Sequence, residues 1–503
     1  MNLFKKSIFA ELSAAEVVTA AMAEGAIDLQ GTYCQRVVGC DGHVSQLSAE
    51  AVKGALALEG LVEFNVLYVN GEGTLDSVVG VCPFTHRMSA PQAEPGMDVK
   101  VRSNVSSPTA RAAGPSRLLV EAVVELDAEV TGVQSLEAVA EVNDSRLQTL
   151  GQQIYWMSRN ASGHASTTVR EDVELADALP EASKVLLSHG DVRISEVRAM
   201  GGEAMVAGDL LLQVLYLDTV GDVQRSILTV PFGTSVSSVG MSENMEVRAW
   251  GSVSQLFITV GENLNDERRI LSLEAPLFLN VEGYTPCEME ALADAYHLDY
   301  DLGMTCEEIG LFDGPVEWSE KVKVRGALPR TDVMEEDSAL LATDLTPIID
   351  SFEVSEGRVD FTGRLVTRAL YRSASDDIFS TLAEVPFASA LEWSGATSDA
   401  KVELSAVPLR SSALVEGNFD VEAELEVKLT SRRCLHYKIV TELEQGMPLG
   451  RTLAPLTLCI AGPNDTTWTL ARRCRVPVDD LLRTNPELAA GVQSGAKVVV
   501  LRK

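Results

Sequence analysis

The stretch GLVEFNVLYVNGEGTLDSVVGVCPF occupies residues 60–84. GDLLLQVLYLDTVGDVQRSILTVPF occupies 208–232, and GRLVTRALYRSASDDIFSTLAEVPF occupies 363–387. Each reads glycine, seven residues, tyrosine, fourteen residues, Pro-Phe. The markers are Gly60, Tyr68, Pro83 and Phe84; Gly208, Tyr216, Pro231 and Phe232; and Gly363, Tyr371, Pro386 and Phe387. Fifteen residues beyond each Phe stands a valine, Val99, Val247 or Val402. Four markers in constant register over three copies define a tandem repeat.

Each copy reads as a β-hairpin. Residues 61–69 are rich in Leu, Val, Phe and Tyr, the composition of a half-buried strand. Asn70-Gly71 favours a tight turn, since both residues tolerate positive φ; Gly221-Asp222 and residues 373–377 stand at the equivalent places. The returning strand is expected to end at Pro-Phe, with Pro at a strand end or edge because it cannot donate to a ladder. Further alternating runs follow, MDVKVRSNV and RLLVEAVVELDAEVTGV in the first copy, KVELSAVPL and NFDVEAELEVKLTS in the third. The expected fold is therefore mainly β: three antiparallel sandwich or open-barrel domains. Between the copies, 150–187 and 284–345 read as less regular bridging segments. They include an acidic piece, CEMEALADAYHLDYDLG, either helical or extended, and the run Glu335-Glu336-Asp337, read as solvated loop.

The chain has 503 residues and a net charge of −32. Lys and Arg are outnumbered nearly two to one, which argues against nucleic acid and against an anionic membrane surface. No apolar run is long enough for a membrane-spanning helix. Residues 7–24 read as an amphipathic N-terminal helix rather than a signal peptide, because Glu11 and Glu16 interrupt the apolar core. The eight cysteines lack a CxxC and read as reduced thiols of a cytosolic protein. No P-loop, HExxH, GxSxG or EF-hand pattern occurs, and no His/Cys set has metal-ligand spacing; Cys434 with His436 is a coincidence of sequence. This favours a binding or scaffolding protein without catalytic residues, metal or cofactor.

Residues 451–503 invert the charge. They hold six arginines, two lysines, three aspartates and one glutamate, a net of +4, so the preceding 450 residues carry −36. Residues 456–461 suit a short strand, and Asp465 or Thr466 can cap a helix running to Cys474. A second helix starts near Pro477 and stops at Asn485-Pro486; Gly495 then turns the chain into KVVVL. The order is β-α-α-β. Trp468 reads as core.

Asp465, Thr466, Trp468, Leu470-Ala471, Asn485 and Gly495 resemble the pattern of a LysM module, although Asn464 and Thr467 replace its usual turn Gly and Leu. With the three repeats, residues 26–503 resemble the SipL family of SPOCS-domain proteins. That resemblance implies four domains: 1–150 (N-terminal helix and first SPOCS-like unit), 151–283 (second), 284–445 (acidic connector and third) and 451–503 (LysM-like). It implies a non-enzymatic adaptor of endospore-coat assembly, cytoplasmic in the mother cell at the forespore surface. The implied partner is the basal-layer coat morphogenetic ATPase (SpoIVA-like). The implied partner- or glycan-binding residues of the LysM-like loops are Asn464, Asp465 and Thr466 in the first, and Asn485, Glu487 and Leu488 in the second. The tail's positive charge is expected to speed encounter with an acidic partner. A peptidoglycan- or cortex-binding wall protein and a phage or filament subunit are the rival readings.

Overall fold

A computed structural model of the chain describes residues 2–327, 339–373, 375, 377–397, 400–416, 418–450 and 454–502. The expected acidic loop at Glu335-Glu336-Asp337 lies outside these residues. The first unit contains β1 (Asn2–Asp28), β2 (Cys34–Val52), β3 (Ala55–Asn70), β4 (Leu75–Ser89), β5 (Asp98–Gly114) and β6 (Arg117–Asn143). The second contains β7 (Leu147–Glu174), β8 (Ala182–Met200), β9 (Glu203–Asp218), β10 (Val223–Ser237), β11 (Glu246–Val253), β12 (Phe257–Gly261) and β13 (Ile270–His297). The third contains β14 (Tyr300–Ala327), β15 (Ala339–Ser355), β16 (Arg358–Arg372), β17 (Ile378–Glu392), β18 (Ala400–Glu416) and β19 (Asn418–Pro448). The tail adds β20 (Leu456–Ile460), α1 (Thr467–Cys474), α2 (Val478–Thr484), a 3-10 turn (Pro486–Ala490) and β21 (Lys497–Leu501).

Each unit is two facing antiparallel sheets. One is the repeat hairpin with the strand before it, in the orders β2-β3-β4, β8-β9-β10 and β15-β16-β17. The other pairs the unit's first strand with its last, β1-β6-β5 and β14-β19-β18, with β7-β13 flanked by β11 and β12 in the second unit. β2 lies along β5 and β4 along β1, so the sandwich approaches a barrel; the other units repeat this.

The repeat markers are steric. Gly60 pairs directly with Phe84, Gly208 with Phe232 and Gly363 with Phe387. A Cβ at these glycines would meet the Phe ring at 2.5, 3.0 and 2.6 Å, and a carbonyl of the opposite strand at 2.8, 2.3 and 2.4 Å. The ring therefore lies across a bare backbone, and only Gly fits. Tyr68, Tyr216 and Tyr371 are buried in the three separate cores. Pro83, Pro231 and Pro386 sit inside edge strands, not at strand ends: β4 continues to Ser89, β10 to Ser237 and β17 to Glu392. An edge position leaves the missing N–H without cost. The Asn70-Gly71 turn also differs from expectation. The Asn70 carboxamide accepts from the N–H groups of Glu72 and Thr74, and the left-handed residue is Gly73, φ 80°. Asp218 and Ser373 cap the equivalent turns in the same way, because a short polar side chain replaces a backbone acceptor there.

The N-terminal segment is not a helix. Residues 7–24 belong to β1, which pairs with β6 from Asn2↔Asn143 to Asp28↔Arg117. Ile8, Ala10, Ala21 and Ala23 are buried with the two-residue period of a strand, while Phe9, Val18 and Met22 are exposed. Tertiary pairing overrides the helical preference of the alanines. Nor are the segments between copies irregular in their described residues: β7, β13 and β14 run through them, and the expected boundaries at 150/151 and 283/284 fall inside β7 and β13.

These strands outrun their sandwiches. β5 reaches Thr131 of β6, β11 reaches Tyr284 of β13 and β18 reaches Arg433 of β19. Beyond these points each first-last strand pair continues as a two-stranded ribbon. The three ribbons bury one another: Ile8, Ile154 and Ile309 occupy equivalent positions, as do Ala138, Ala291 and Ile439, and all six are buried together. At the opposite end a plug joins Leu67, Leu215 and Leu370 with Leu75, Val223 and Ile378. The single chain thus folds as a closed ring of three units about a pseudo-threefold axis.

Charges close the same ring. Lys100 of the first unit reaches Glu282 of the second at 2.7 Å. Arg248 of the second reaches Glu317 of the third at 3.0 Å, and Arg432 and Lys401 of the third reach Glu129 of the first at 3.0 and 2.7 Å. Because the ribbon core is shared, Ile154→Ala is expected to cost about 2–5 kcal/mol. It should lower the denaturation midpoint of all three units together, read by hydrogen exchange in β3, β9 and β16. Loss of the second unit's protection alone would show that the units are independent.

Candidate functional site

Between the leucine plug and the ribbon core lies a chamber of about 1510 Å³ lined by all three units. Its plug end is built by one repeat position. Five residues after each marker glycine stand Asn65, Gln213 and Arg368, polar residues in strands that are otherwise rich in Leu, Val and aromatic residues. Their cross-strand partners are Asp41, His189 and Asp344. Arg368 donates to Asp41 at 2.8 Å and to the carbonyl of Cys40. Arg225 donates to the Gln213 side-chain oxygen at 2.8 Å.

His189 leaves 33% of its side chain uncovered, but what it faces is the protein-walled chamber. Burial disfavours its charge, yet Asp191 at 3.5 Å, with Asp344 and Asp41 from the other units, outweighs that and raises the imidazole to about 9. His43 lines the same chamber; desolvation there and the charge on His189 lower it to about 4, and it stays neutral. Burial raises Glu63 to about 7, against a hydrogen bond from Gln255. Burial and Asp41 push the Asp344 carboxyl upward, opposed by His189, Arg368 and Arg225. At the ribbon end burial would raise Glu129 and Glu282. Arg432 and Lys401 hold Glu129 below its usual range, and Lys100 and Arg159 do the same for Glu282. His189, Asp344, Glu129 and Glu282 each answer a charge from another unit, so the arrangement ties the ring together. Among the described residues, no group of three His, Cys, Asp or Glu side chains is placed to hold a metal.

The tail has the order β-α-α-β with the added 3-10 turn. Thr466 caps α1, its hydroxyl accepting from Thr469 N at 3.1 Å while its own N–H donates to Thr469 Oγ1 at 2.8 Å. Asp465 accepts from Gly462 N at 2.7 Å and pairs with Arg473 at 3.0 Å, so its carboxyl titrates below the usual range. Asn485 is buried and ties Leu481 O and Val499 O and N; Leu488 is core. Of the six expected contact residues, Asn464, Thr466 and Glu487 are exposed, Asp465 is half-exposed, and Asn485 and Leu488 face inward. Thr467 Oγ1 donates to Leu488 O at 3.3 Å, bringing the two loops side by side.

The tail is docked on the β13–β14 hairpin. Tyr296 enters its core, meets Trp468 edge to face at 5.0 Å and donates to Val476 O at 2.7 Å. The Trp468 N–H donates to Asp294 at 2.8 Å, and Arg472 pairs with the same carboxylate at 2.6 Å. Arg475 donates to His297 O at 2.8 Å and reaches Asp301 at 3.2 Å. The acidic partner of these two arginines is therefore the chain's own connector, and they are not free to steer an outside molecule.

Two outcomes follow from these contacts. His189, raised from an ordinary 6.5, contributes stability that is complete below about 6.5 and lost as pH rises through about 9. NMR titration should therefore place its imidazole near 9; a midpoint at or below 6.5 would contradict the three-carboxylate environment. Asp294→Ala leaves Trp468 and Arg472 without their shared acceptor, a cost of about 1–3 kcal/mol. Hydrogen exchange should accelerate in α1 and leave β16 unchanged.

The chamber residues escaped sequence reading, although a polar residue five places after each glycine was a visible signal. A family model described as SipL, SPOCS domain, matches residues 34–111, 181–260 and 338–429. These ranges contain the three repeat hairpins and the strands that precede them. No curated protein matches the chain. The SipL family is not a known enzyme family. Three matches in tandem, each on one unit of the ring, show that the chain belongs to the sporulation-related SipL family of SPOCS-domain proteins.

Proposed function

We propose that the chain is a non-enzymatic scaffold of endospore-coat assembly, acting in the mother-cell cytosol at the forespore surface. The ring is its rigid body, and the LysM-like tail presents a binding edge to the basal-layer coat ATPase. One observation supports this reading above the others. The tail is held to the ring by Trp468, Arg472, Arg475 and Tyr296, while Asn464, Thr466 and Glu487 on its two adjoining loops stay exposed. Docking by one face leaves another in a fixed orientation, which reduces the ordering cost of binding. The charge-balanced chamber serves the ring's cohesion, and the basic tail answers the acidic hairpin.

The test is a binding titration of the full chain against purified coat ATPase and, in parallel, peptidoglycan fragments. Binding to the ATPase is expected, weakened at least about tenfold (about 1.4 kcal/mol) by Asn464→Arg with Glu487→Arg. Binding to the glycan alone would replace the adaptor reading with the wall-protein one. ATPase binding untouched by the loop variants would move the contact elsewhere.

A further inference from the structure

Cys459 lies on β20 opposite Val498 of β21, its side chain turned toward the tail core while Leu458 and Ile460 point outward. Cys474 is the last residue of α1 and is buried. Their sulfurs are 2.9 Å apart, about 0.9 Å more than a covalent S–S bond. Both thiols are free in this structure.

The backbone on each side is already braced. Arg473 donates to the carbonyl of Ile460 at 2.9 Å, clamping the last turn of α1 to the strand residue beside Cys459. Arg502 donates to the carbonyl of Cys474 at 2.8 Å and to the Thr457 hydroxyl at 2.7 Å. The two sulfurs thus approach each other between elements held by three other bonds, so a small side-chain rotation closes the remaining gap.

We infer that Cys459 and Cys474 are a modification site: a thiol pair that a low-molecular-weight disulfide oxidises to an intramolecular disulfide. Cys459, half-exposed, reacts first. Its thiolate attacks the small disulfide, forms a mixed disulfide and expels one thiolate. Cys474 then loses its proton and attacks the Cys459 sulfur, and the second small thiolate leaves. Two thiols and one disulfide give one protein disulfide and two small thiols; two electrons pass to the oxidant and two protons to the thiolates. Burial and the neighbouring Cys459 raise the Cys474 thiol to about 12, so the second step draws on a small thiolate fraction. The bond would fasten α1 to β20, and α1 carries the Trp468 and Arg472 that dock the tail on the ring.

The test uses the full chain with oxidised glutathione, followed by thiol blocking and peptide mapping by mass spectrometry. The expected product is one cross-linked pair joining Cys459 and Cys474, closing about tenfold faster per pH unit from roughly pH 7 to 9. Cys474→Ser should stop at glutathione on Cys459, and Cys459→Ser should leave Cys474 unmodified. Glutathione accumulating on wild-type Cys459 without closure would overturn the assignment, as would preferential pairing among the other six cysteines.

Discussion

Everything in this molecule depends on one pairing: the first strand of each unit with its last. β1 and β6 are joined along 27-residue strands that pair from Asp28↔Arg117 to Asn2↔Asn143, across the whole of the unit's sequence. A sandwich needs only about half that length. The excess forms the ribbon, and a two-stranded ribbon is marginal alone because one face stays wet. Three ribbons cover one another, and that mutual burial draws the units into a ring. Once the ring closes, the chamber, the leucine plug and the inter-unit ion pairs are consequences of position.

The ion pairs illustrate the order of cause. Glu282 and Arg432 are almost wholly buried, and taking either from water alone would be costly. Each is tolerable because the neighbouring unit supplies the counter-charge at hydrogen-bonding distance. Hydrophobic contact at the ribbons and plug brings the units together, and the charges fix which faces meet. The net charge of the ring and the opposite charge of the tail fit one scheme, since Asp294 and Asp301 hold Arg472 and Arg475.

What the sequence revealed was local. The Gly–Phe cross-strand contact involves residues 24 apart in one hairpin, so its spacing survived in three copies. The tail was legible for the same reason: the Thr466 cap, the stop at Asn485-Pro486 and the turn at Gly495 act within a few residues. The ribbons were not legible. β1 is rich in alanine, its alternation is faint, and its partner β6 cannot be inferred from nearby spacing. The chamber was half legible. Asn65, Gln213 and Arg368 were visibly polar at one repeated position, but what they face exists only when three units meet. The contact residues expected in the tail divided similarly: Asn464, Thr466 and Glu487 are exposed, whereas Asn485 and Leu488 serve the tail's interior.

Ring closure is the central claim, and contact between the third unit and the first tests it. A zero-length carbodiimide cross-link joins an amine to a carboxylate already in contact. In the monomeric fraction Lys401 should be joined to Glu129 or Glu16, alongside Lys100 to Glu282. Recovery of Lys100–Glu282 with no link from Lys401 to the first unit would mean an open string of domains, and the chamber would not exist.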